Sequence, residues 1–298
     1  MAGVQADPVD VPRAWAQLAV ERLRGTLLVV GAPDVGKSTF SRYLYGRLCA
    51  GSVRAAFLDG DPGQSVLGPP TTMTLALGRG GDAVFPPKGQ GFRSFVGAVS
   101  PRGHMLPLLA GAARLVQAAY EAGAEAVTYD TSGLIDPDRG GLTLKMSKVD
   151  LLRPSTVFAI QRGHELEPLL VPLRRSQRTR VVDLEASVAA RRRDTSRRQL
   201  HRASQFARYF DLARPVEVEW GRMAVLPSPR FLPNRLVALE GADGFVLGLG
   251  IVLDHDVGAR QVTLHTPLPS LDGVDALRLG DVVVDPETFR DQRLVAGH

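Results

Sequence analysis

Cysteine is nearly absent from this sequence of 298 residues. The single cysteine, Cys49, excludes an internal disulfide and any zinc site built from several cysteines. No apolar run approaches the roughly 20 residues that a membrane-spanning helix needs. The first residues also lack the basic and then apolar pattern of a secretion signal. We therefore expect a cytoplasmic protein that does not associate with membranes.

Lysine is scarce as well, although the chain is basic. Only four of the 36 basic residues are lysines, namely Lys37, Lys88, Lys145 and Lys148. Arginine forms paired hydrogen bonds with phosphate, so this bias suits a polyanionic partner. A GC-rich genome or a thermophilic host would favour arginine too. The net charge of only +5 does not decide between these explanations.

What the sequence does contain is a phosphate loop. An apolar run, Leu27 to Val30, leads into Gly-Ala-Pro-Asp-Val-Gly-Lys-Ser, and a helix-like segment follows from Ser38 to Cys49. Glycines let backbone N–H groups converge on a phosphate, and the helix offers its positive N-terminal end. A tight strand-to-helix turn with a chance lysine is the alternative, and the complete strand, loop and helix argue against it. The predicted nucleotide-binding residues are Gly31, Asp34, Val35, Gly36, Lys37, Ser38 and Thr39.

Carboxylates follow two further predicted strands. Val53 to Leu58 ends in Asp59 and Asp61, and Glu125 to Tyr129 ends at Asp130. Ligand chemistry in α/β folds lies at the carboxyl ends of strands, where an aspartate can hold Mg²⁺ or accept a proton. For the first pair, an acidic turn rich in proline and glycine is the alternative. We predict Ser38, Asp61 and Asp130 as the metal-binding residues.

The order of elements predicts the fold class and the domains. Strands alternate with helices up to about residue 184, which indicates an α/β domain with a parallel sheet covered by helices on both faces. Beyond Pro215 short strands alternate with glycine turns. We predict an N-terminal helical extension at 1–24, a nucleotide-binding domain at 25–213 and a smaller β-rich domain at 214–298.

Arginines crowd the end of the predicted nucleotide-binding domain. Seven of them lie between Arg191 and Arg208, with Asp194 as the only acidic residue among them. Seven like charges on one helix repel one another unless an anion lies alongside. A solvated basic helix face is the equally weighted alternative.

Five segments together resemble the polynucleotide 5′-hydroxyl kinase family, and they occur in the family's order. That family includes the RNA kinase subunit of the eukaryotic pre-mRNA cleavage factor and the kinases of ribosomal RNA processing. The segments are GAPDVGKST, DGDPGQS, VGAVSPRGH, DTSGL and an arginine-rich helix that runs into ARYF. The resemblance covers about Gly25 to Phe210, and the C-terminal part more loosely.

The resemblance implies transfer of the ATP γ-phosphate, with Mg²⁺, to a 5′-hydroxyl end of RNA or DNA. It assigns catalysis to Lys37, Asp61 and the lid arginines Arg193, Arg198 and Arg202. Asp61 activates the 5′-hydroxyl group in this scheme. The substrate-binding residues that we predict are Gln64, Thr71, Thr72, Arg102, His104, Thr131 and Gly133.

The sequence departs from the family at two places. Leu134 stands where many members have a tryptophan, so aromatic stacking on the nucleic acid from that position is lost. Only residues 1–24 precede the first predicted strand, too few for the extra N-terminal β-domain of the eukaryotic members. Partners that dock on that domain are not implied, and the sequence identifies no protein partner.

Three other functions remain open at this point. A nucleotide-binding assembly factor without kinase activity would need neither lid arginines nor paired aspartates. A partition-type ATPase would carry an additional lysine early in the phosphate loop, where this chain has Ala32. A small-molecule kinase is less consistent with the arginine helix. The sequence also leaves GTP open as an alternative to ATP.

Overall fold

The computed structural model describes residues 11–78, 84–186 and 194–294. Its first half is a sheet of seven strands in the order β4-β3-β2-β5-β1-β6-β7. The strands are β1 Gly25–Gly31, β2 Ala55–Gly60, β3 Thr72–Leu77, β4 Gly91–Phe95, β5 Ala126–Thr131, β6 Thr156–Gln161 and β7 Arg180–Glu185. The helices are α1 Arg13–Ala16, α2 Lys37–Ala50, α3 Met105–Glu121, α4 Gly141–Leu152, α5 Glu167–Ser176 and α6 Thr195–Phe210.

Helices cover both faces of this sheet, because alternate strand residues point to opposite sides. On β1, Leu28 and Val30 belong to a core shared with α3, α4 and α5. Leu27 and Val29 belong to a second core with α2. A strand buried on both faces reads as a continuous apolar run, as β1 does. The predicted α/β fold is confirmed.

The sheet is parallel over five strands and carries an antiparallel hairpin at one edge. β2, β5, β1, β6 and β7 pair in parallel, whereas β3 pairs antiparallel with both β2 and β4. The sequence predicts only an irregular connection over residues 68–90. The glycines and prolines of this connection are typical of turns, so the short apolar strand β3 between them is not predicted.

The N-terminal extension predicted at 1–24 is helical over only a few of its described residues. The structure has only the four residues of α1, followed by a 3₁₀ turn at Val20–Arg22. Trp15 and Val20 are both buried, with Trp15 against Phe40. Five residues along an α-helix turn the chain by about 500°, which leaves two such side chains about 140° apart. Breaking the helix lets both reach the same core.

The second half of the chain forms another seven-stranded sheet. Its strands are β8 Arg214–Glu219, β9 Ala224–Leu226, β10 Arg235–Glu240, β11 Val246–Asp256, β12 Gln261–Thr266, β13 Ala276–Val284 and β14 Asp291–Arg293. The order is β14-β13-β10-β11-β12-β8, and β9 pairs in parallel with β13. The sequence indicates β8, β11, β12 and β13 but misses β10, which lies at the centre of the sheet.

The two sheets meet around α6 and the end of β4. Phe95, Phe206 and Phe210 share one core with residues of β10 and β11. The backbones approach closely at Gly97, whose carbonyl accepts a 2.8 Å hydrogen bond from the Asp281 N–H. A Cβ added at Gly97 would stand 3.3 Å from the Cα of Gly280. The second sheet is thus packed directly against the edge of the first.

Candidate active site

The phosphate loop connects β1 to α2 as the sequence predicts. Gly36 has a φ of 99°, a left-handed conformation that glycine adopts without a steric penalty. At Gly31 a Cβ would stand 2.5 Å from the carbonyl oxygen of Ile160, so only glycine lets the loop pass this close to β6. Both glycines of the motif are therefore required by the backbone.

Lys37 begins α2 and lines the cleft in front of the loop. Its side chain is buried, because only 7% of the residue is exposed. Its Nζ donates a 2.7 Å hydrogen bond to the carbonyl of Ala32 within the same loop. Burial lowers the pKa of Lys37, while the nearby charges of Asp130 and Asp61 act to raise it. The lysine and both carboxylates are thus brought together.

Asp59 and Asp61 have different surroundings although only one residue separates them. The Oδ2 of Asp59 accepts hydrogen bonds from the N–H groups of Val66 at 2.6 Å and Leu67 at 2.9 Å, and from the Ser65 hydroxyl at 3.0 Å. Burial raises the pKa of Asp59 to about 7, against the effect of these donors. Asp59 therefore holds the loop that follows β2 and does not line the cleft.

Asp61 faces the cleft. Its Oδ1 accepts hydrogen bonds from the N–H groups of Gly63 at 2.9 Å and Gln64 at 3.1 Å. These bonds fix the orientation of the carboxylate within its own turn. Asp61 is accordingly the member of the pair that can act on a bound molecule.

Asp130 lies at the carboxyl end of β5 and is 2% exposed. Burial raises its pKa, whereas a hydrogen bond from Ser38 and the charge of Lys37 act to lower it. Its Oδ1 is buried and has no hydrogen-bond partner in the part of the chain that the structure describes. A buried carboxylate oxygen without a donor suits a cation or a cation-bound water.

The oxygen atoms of Ser38, Asp61 and Asp130 suit Mg²⁺, which prefers oxygen ligands. Within the described ranges there is no group of three or more His, Cys, Asp or Glu residues placed to hold a metal. Mg²⁺ does not need such a cage, because it keeps several waters and takes further oxygens from nucleotide phosphates. Ser38, Asp61 and Asp130 supply one hydroxyl and two carboxylates at the same edge of the sheet.

The helix α6 carries two of the predicted lid arginines. Asp194 caps its start by accepting a 2.7 Å hydrogen bond from the N–H of Arg197. Arg198 Nη2 donates to Asp34 of the phosphate loop at 2.7 Å, and Arg202 Nε donates to Asp291 at 2.8 Å. The third predicted lid arginine, Arg193, lies outside the described residues.

An open cleft of about 660 Å³ separates the phosphate loop from α6. The predicted residues that line it are Asp34, Gly36, Lys37, Ser38, Thr39, Asp61, Gln64, Thr131, Gly133, Arg198 and Arg202. Leu134 lines the cleft as well, at the position where the resembling family often has tryptophan. The cleft is therefore bordered by phosphate-binding elements on one side and arginines on the other.

Four predicted substrate-binding residues do not line the cleft. Thr71, with a φ of 73°, is buried, and the hydroxyl of Thr72 donates to the Pro69 carbonyl. His104 Nε2 lies 3.0 Å from an oxygen of Asp281 in the second sheet, and Arg102 is exposed. Their assignment to substrate binding stays a prediction.

Sequence reasoning misses two buried lysines of α4. Lys145 Nζ donates to the Thr131 hydroxyl at 2.9 Å and to the Ser132 carbonyl. Lys148 Nζ donates to the Tyr129 hydroxyl at 2.6 Å. Burial lowers the pKa of Lys145 far below its usual value and that of Lys148 to about 7. The available signal was the scarcity of lysine, since two of the four lie three residues apart in an apolar segment.

Comparison with known proteins finds one matching family model and several archaeal relatives. A family model described as mRNA cleavage and polyadenylation factor CLP1 P-loop matches residues 31–211. Polyribonucleotide 5′-hydroxyl-kinases of Pyrococcus furiosus and Pyrococcus abyssi are 23% and 24% identical, each over 92% of this chain and 93% of the relative. The polyribonucleotide 5′-hydroxyl-kinase of Methanocaldococcus jannaschii is 28% identical over 87% of both chains.

Solved structures share the fold. The structure of the wild-type Clp1p–Pcf11p complex matches with a TM-score of 0.65 and 11% identity, over 88% of this chain and 75% of that one. At this identity the likeness concerns the fold alone. Among the described residues, no helix is both long and apolar enough to cross a membrane.

Proposed function

Because the chain belongs to the mRNA cleavage and polyadenylation factor CLP1 P-loop family, we propose that it is an ATP-dependent polynucleotide 5′-hydroxyl kinase. Its substrate in this proposal is the 5′-hydroxyl end of RNA, as the names of its archaeal relatives state for those proteins. DNA ends are the second substrate to be tested.

One observation carries the proposal. A single cleft is lined by Lys37 of the phosphate loop, the carboxylate of Asp61 and the guanidinium of Arg198. Phosphoryl transfer needs little covalent help, so positioning and neutralisation of charge dominate its catalysis. These three groups are a phosphate ligand, a proton acceptor and a second cation on the opposite wall.

The loop binds the triphosphate through its backbone N–H groups and the N-terminus of α2. Lys37 exchanges the carbonyl of Ala32 for the β- and γ-phosphates when nucleotide enters. The ammonium group then contacts anionic phosphates instead of a neutral carbonyl. Nearby negative charge favours the charged form of the lysine.

Mg²⁺ would be held by Ser38, Asp61 and Asp130. When bound, it supplies charge neutralisation across the β- and γ-phosphates. The unpartnered Oδ1 of Asp130 supports this assignment. Ser38 lies close enough to Asp130 to oppose the rise in the pKa of that carboxyl.

Asp61 accepts the proton of the 5′-hydroxyl group. Two backbone N–H groups on its Oδ1 fix the carboxylate in the cleft. A positioned general base contributes a factor of about 10² to 10⁴ in rate. Gln64, whose N–H is one of these two donors, also lines the cleft and contacts the attacking end of the substrate.

The lid arginines neutralise the charge that develops on the transferring phosphoryl group. Arg198 lies opposite the phosphate loop and already contacts it through Asp34. An arginine in this role contributes about 10³ to 10⁵ in rate. Thr131 and Gly133 lie between the loop and the expected position of the substrate end.

The test is transfer of labelled γ-phosphate to oligonucleotides. Single- and double-stranded RNA and DNA with 5′-hydroxyl ends serve as substrates, and the same oligonucleotides with 5′-phosphate ends serve as controls. We expect labelling of 5′-hydroxyl RNA that requires Mg²⁺, and none in Lys37→Ala. ATP binding without transfer to any of these ends would instead identify an assembly factor. GTP in place of ATP tests the base preference.

A further inference from the structure

The helix α6 is tied to the second sheet along part of its length. Phe206 and Phe210, on its last turns, are buried in a core with β10 and β11. The Tyr209 hydroxyl oxygen accepts a 2.8 Å hydrogen bond from the Leu249 N–H of the same sheet. The C-terminal half of the helix is therefore built into the second sheet, whereas Arg198 in its first turns contacts the phosphate loop.

Arg202 lies between these two halves and contacts a buried carboxylate of the second sheet. Its Nε donates to Asp291 Oδ1 at 2.8 Å, and the two side chains are 14% and 4% exposed. Asp291 is the first residue of β14, where it pairs with Val284 of β13. Gln199 adds a longer bond, at 3.4 Å, to the Asp291 carbonyl.

Arg202 also lines the cleft in front of the phosphate loop. A carboxylate that binds Nε fixes the plane of the guanidinium group. It leaves the two terminal nitrogens as a fork, the arrangement that matches phosphate oxygens. Arg202 thus spans the distance between a strand of the second sheet and the cavity of the first.

Arg198 and Arg202 have different anchors although they lie one helical turn apart. Arg198 is 35% exposed and pairs with the phosphate loop itself, so bound nucleotide can replace its partner. Arg202 is more buried, and its partner Asp291 does not line the cleft. Arg198 can therefore exchange its partner for nucleotide, whereas Arg202 keeps its bond to Asp291.

We propose that Asp291 is a positioning residue for phosphoryl transfer, and that through it the second sheet forms part of the active site. The inference rests on the proposed kinase function. Asp291 touches neither nucleotide nor substrate. It holds the fork of Arg202 toward the γ-phosphate, so that closure of the helix needs no reorientation of this side chain. A misplacement of about 1 Å in such a group costs about 10² in rate.

The test compares Asp291 with a matched carboxylate of the same sheet. Glu240 is 2% exposed and binds Arg278 Nε at 3.0 Å through both oxygens, but neither residue lines the cleft. Glu240→Ala therefore removes a buried carboxylate and its ion pair without reaching the cavity. Stability, turnover and ATP affinity are measured for Glu240→Ala, Asp291→Ala and Asp291→Asn.

We expect Asp291→Ala to lower kcat by about 10- to 100-fold, with ATP affinity changed less than about 3-fold. Asp291→Asn keeps an acceptor oxygen, so its kcat should fall less than that of Asp291→Ala. Glu240→Ala should keep kcat within about 3-fold of wild type even if it is equally destabilised. In an Arg202→Ala background, Asp291→Ala should lower kcat by less than about 2-fold more, because its effect passes through that arginine.

Two results would overturn the inference. One is a folded Asp291→Ala with wild-type kcat, and the other is an undiminished Asp291 effect in the Arg202→Ala background. A second readout separates this inference from the kinase proposal. The ¹⁵N Nε–H signal of Arg202 should be protected from solvent exchange in wild type and in Glu240→Ala, and lost in Asp291→Ala. If wild type transfers no phosphate, the proposed function fails, while a protected signal still supports the Asp291 contact and an exchanging one contradicts it.

Discussion

Arg198 Nη2 lies 2.7 Å from Asp34 Oδ2, so an ion pair joins the lid helix to the phosphate loop. Asp34 is 15% exposed and has a φ of 55°, in the left-handed region of the backbone. The pair holds the first turns of α6 against the loop. Bound triphosphate then competes with Asp34 for the same guanidinium.

Asp34→Asn should therefore bind ATP more tightly than wild type. Asparagine tolerates the left-handed backbone, so the loop keeps its shape. A partly exposed ion pair contributes little, and we expect a gain of about 2- to 5-fold in ATP affinity. Calorimetric titration of ATP measures it. In Arg198→Ala the same substitution should give a smaller gain, and weaker binding by Asp34→Asn would contradict the competition.

Arg198→Ala should reduce turnover far more than it reduces ATP affinity. The guanidinium meets the γ-phosphoryl group in the transition state, so we expect kcat to fall by about 10³ or more. Arg198→Lys should have a kcat close to that of Arg198→Ala, because lysine lacks the planar guanidinium fork. Arg208, exposed on the same helix, is the matched control, and Arg208→Ala should turn over like wild type. Normal kcat in Arg198→Ala would mean that α6 is a solvated basic helix.

Substitution of Asp61 should affect kcat, whereas substitution of Asp59 should affect stability. Asp61→Asn keeps an acceptor for the two N–H groups but loses the proton acceptor, so kcat should fall by at least about 10² with unchanged stability. Asp59→Ala removes the acceptor of the Val66 and Leu67 N–H groups and should lower the free energy of unfolding by about 2–4 kcal/mol. Urea unfolding and single-turnover transfer measure the two effects. A larger loss of kcat at Asp59 than at Asp61 reverses the assignment.

The sequence predicts the nucleotide half of the site well because its constraints are local. A phosphate loop requires glycines and a lysine at fixed spacing, and the aspartates follow apolar strands. The parallel sheet follows from the alternation of strands and helices. Each of these features depends on residues that are close in sequence.

The parts that the sequence misses depend on distant contacts. Lys145 binds Thr131 and Lys148 binds Tyr129 across separate elements, so neither lysine has a local signature. The partner of Arg202 lies 89 residues away, in a three-residue strand that no periodicity marks. Spacing places Arg198 and Arg202 on one helix face, but only the fold shows that their anchors differ.

Lys148 should make stability increase with pH above neutrality. Its pKa is about 7 in the fold and about 10.5 when unfolded, so the unfolded chain binds more protons between these values. Stability from this group is full above about pH 10.5 and is lost as pH falls through about 7. Between pH 7.5 and 9.5 wild type should gain about 2–3 kcal/mol relative to Lys148→Met.

Urea unfolding at both pH values measures this gain. Lys88→Met, at an exposed lysine, is the control and should keep the wild-type slope. An identical pH slope in Lys148→Met and wild type would show that the buried amine is charged at neutral pH. The Tyr129 hydroxyl, 2.6 Å from Nζ, would then be its compensating partner.

Gly133→Ala should weaken nucleotide binding by moving the phosphate loop. A Cβ at this position would stand 2.8 Å from the N and Cα atoms of Pro33, which are backbone atoms of the loop. Overpacking of this kind costs about 1–3 kcal/mol, and here the loop is the part that must shift. We expect ATP to bind about 10-fold more weakly, since about 1.4 kcal/mol of this cost corresponds to tenfold in affinity.

Gly46 provides the matched control for this substitution. It lies in the middle of α2, and a Cβ there would meet no atom within 4 Å. Gly46→Ala should therefore raise the free energy of unfolding by about 0.5–1 kcal/mol and leave ATP affinity unchanged. Thermal unfolding and ATP titration of both variants separate the effects. If Gly133→Ala binds ATP as wild type does, the Thr131–Leu134 segment moves instead of the loop, and the loss should then appear in the KM for the 5′-hydroxyl substrate.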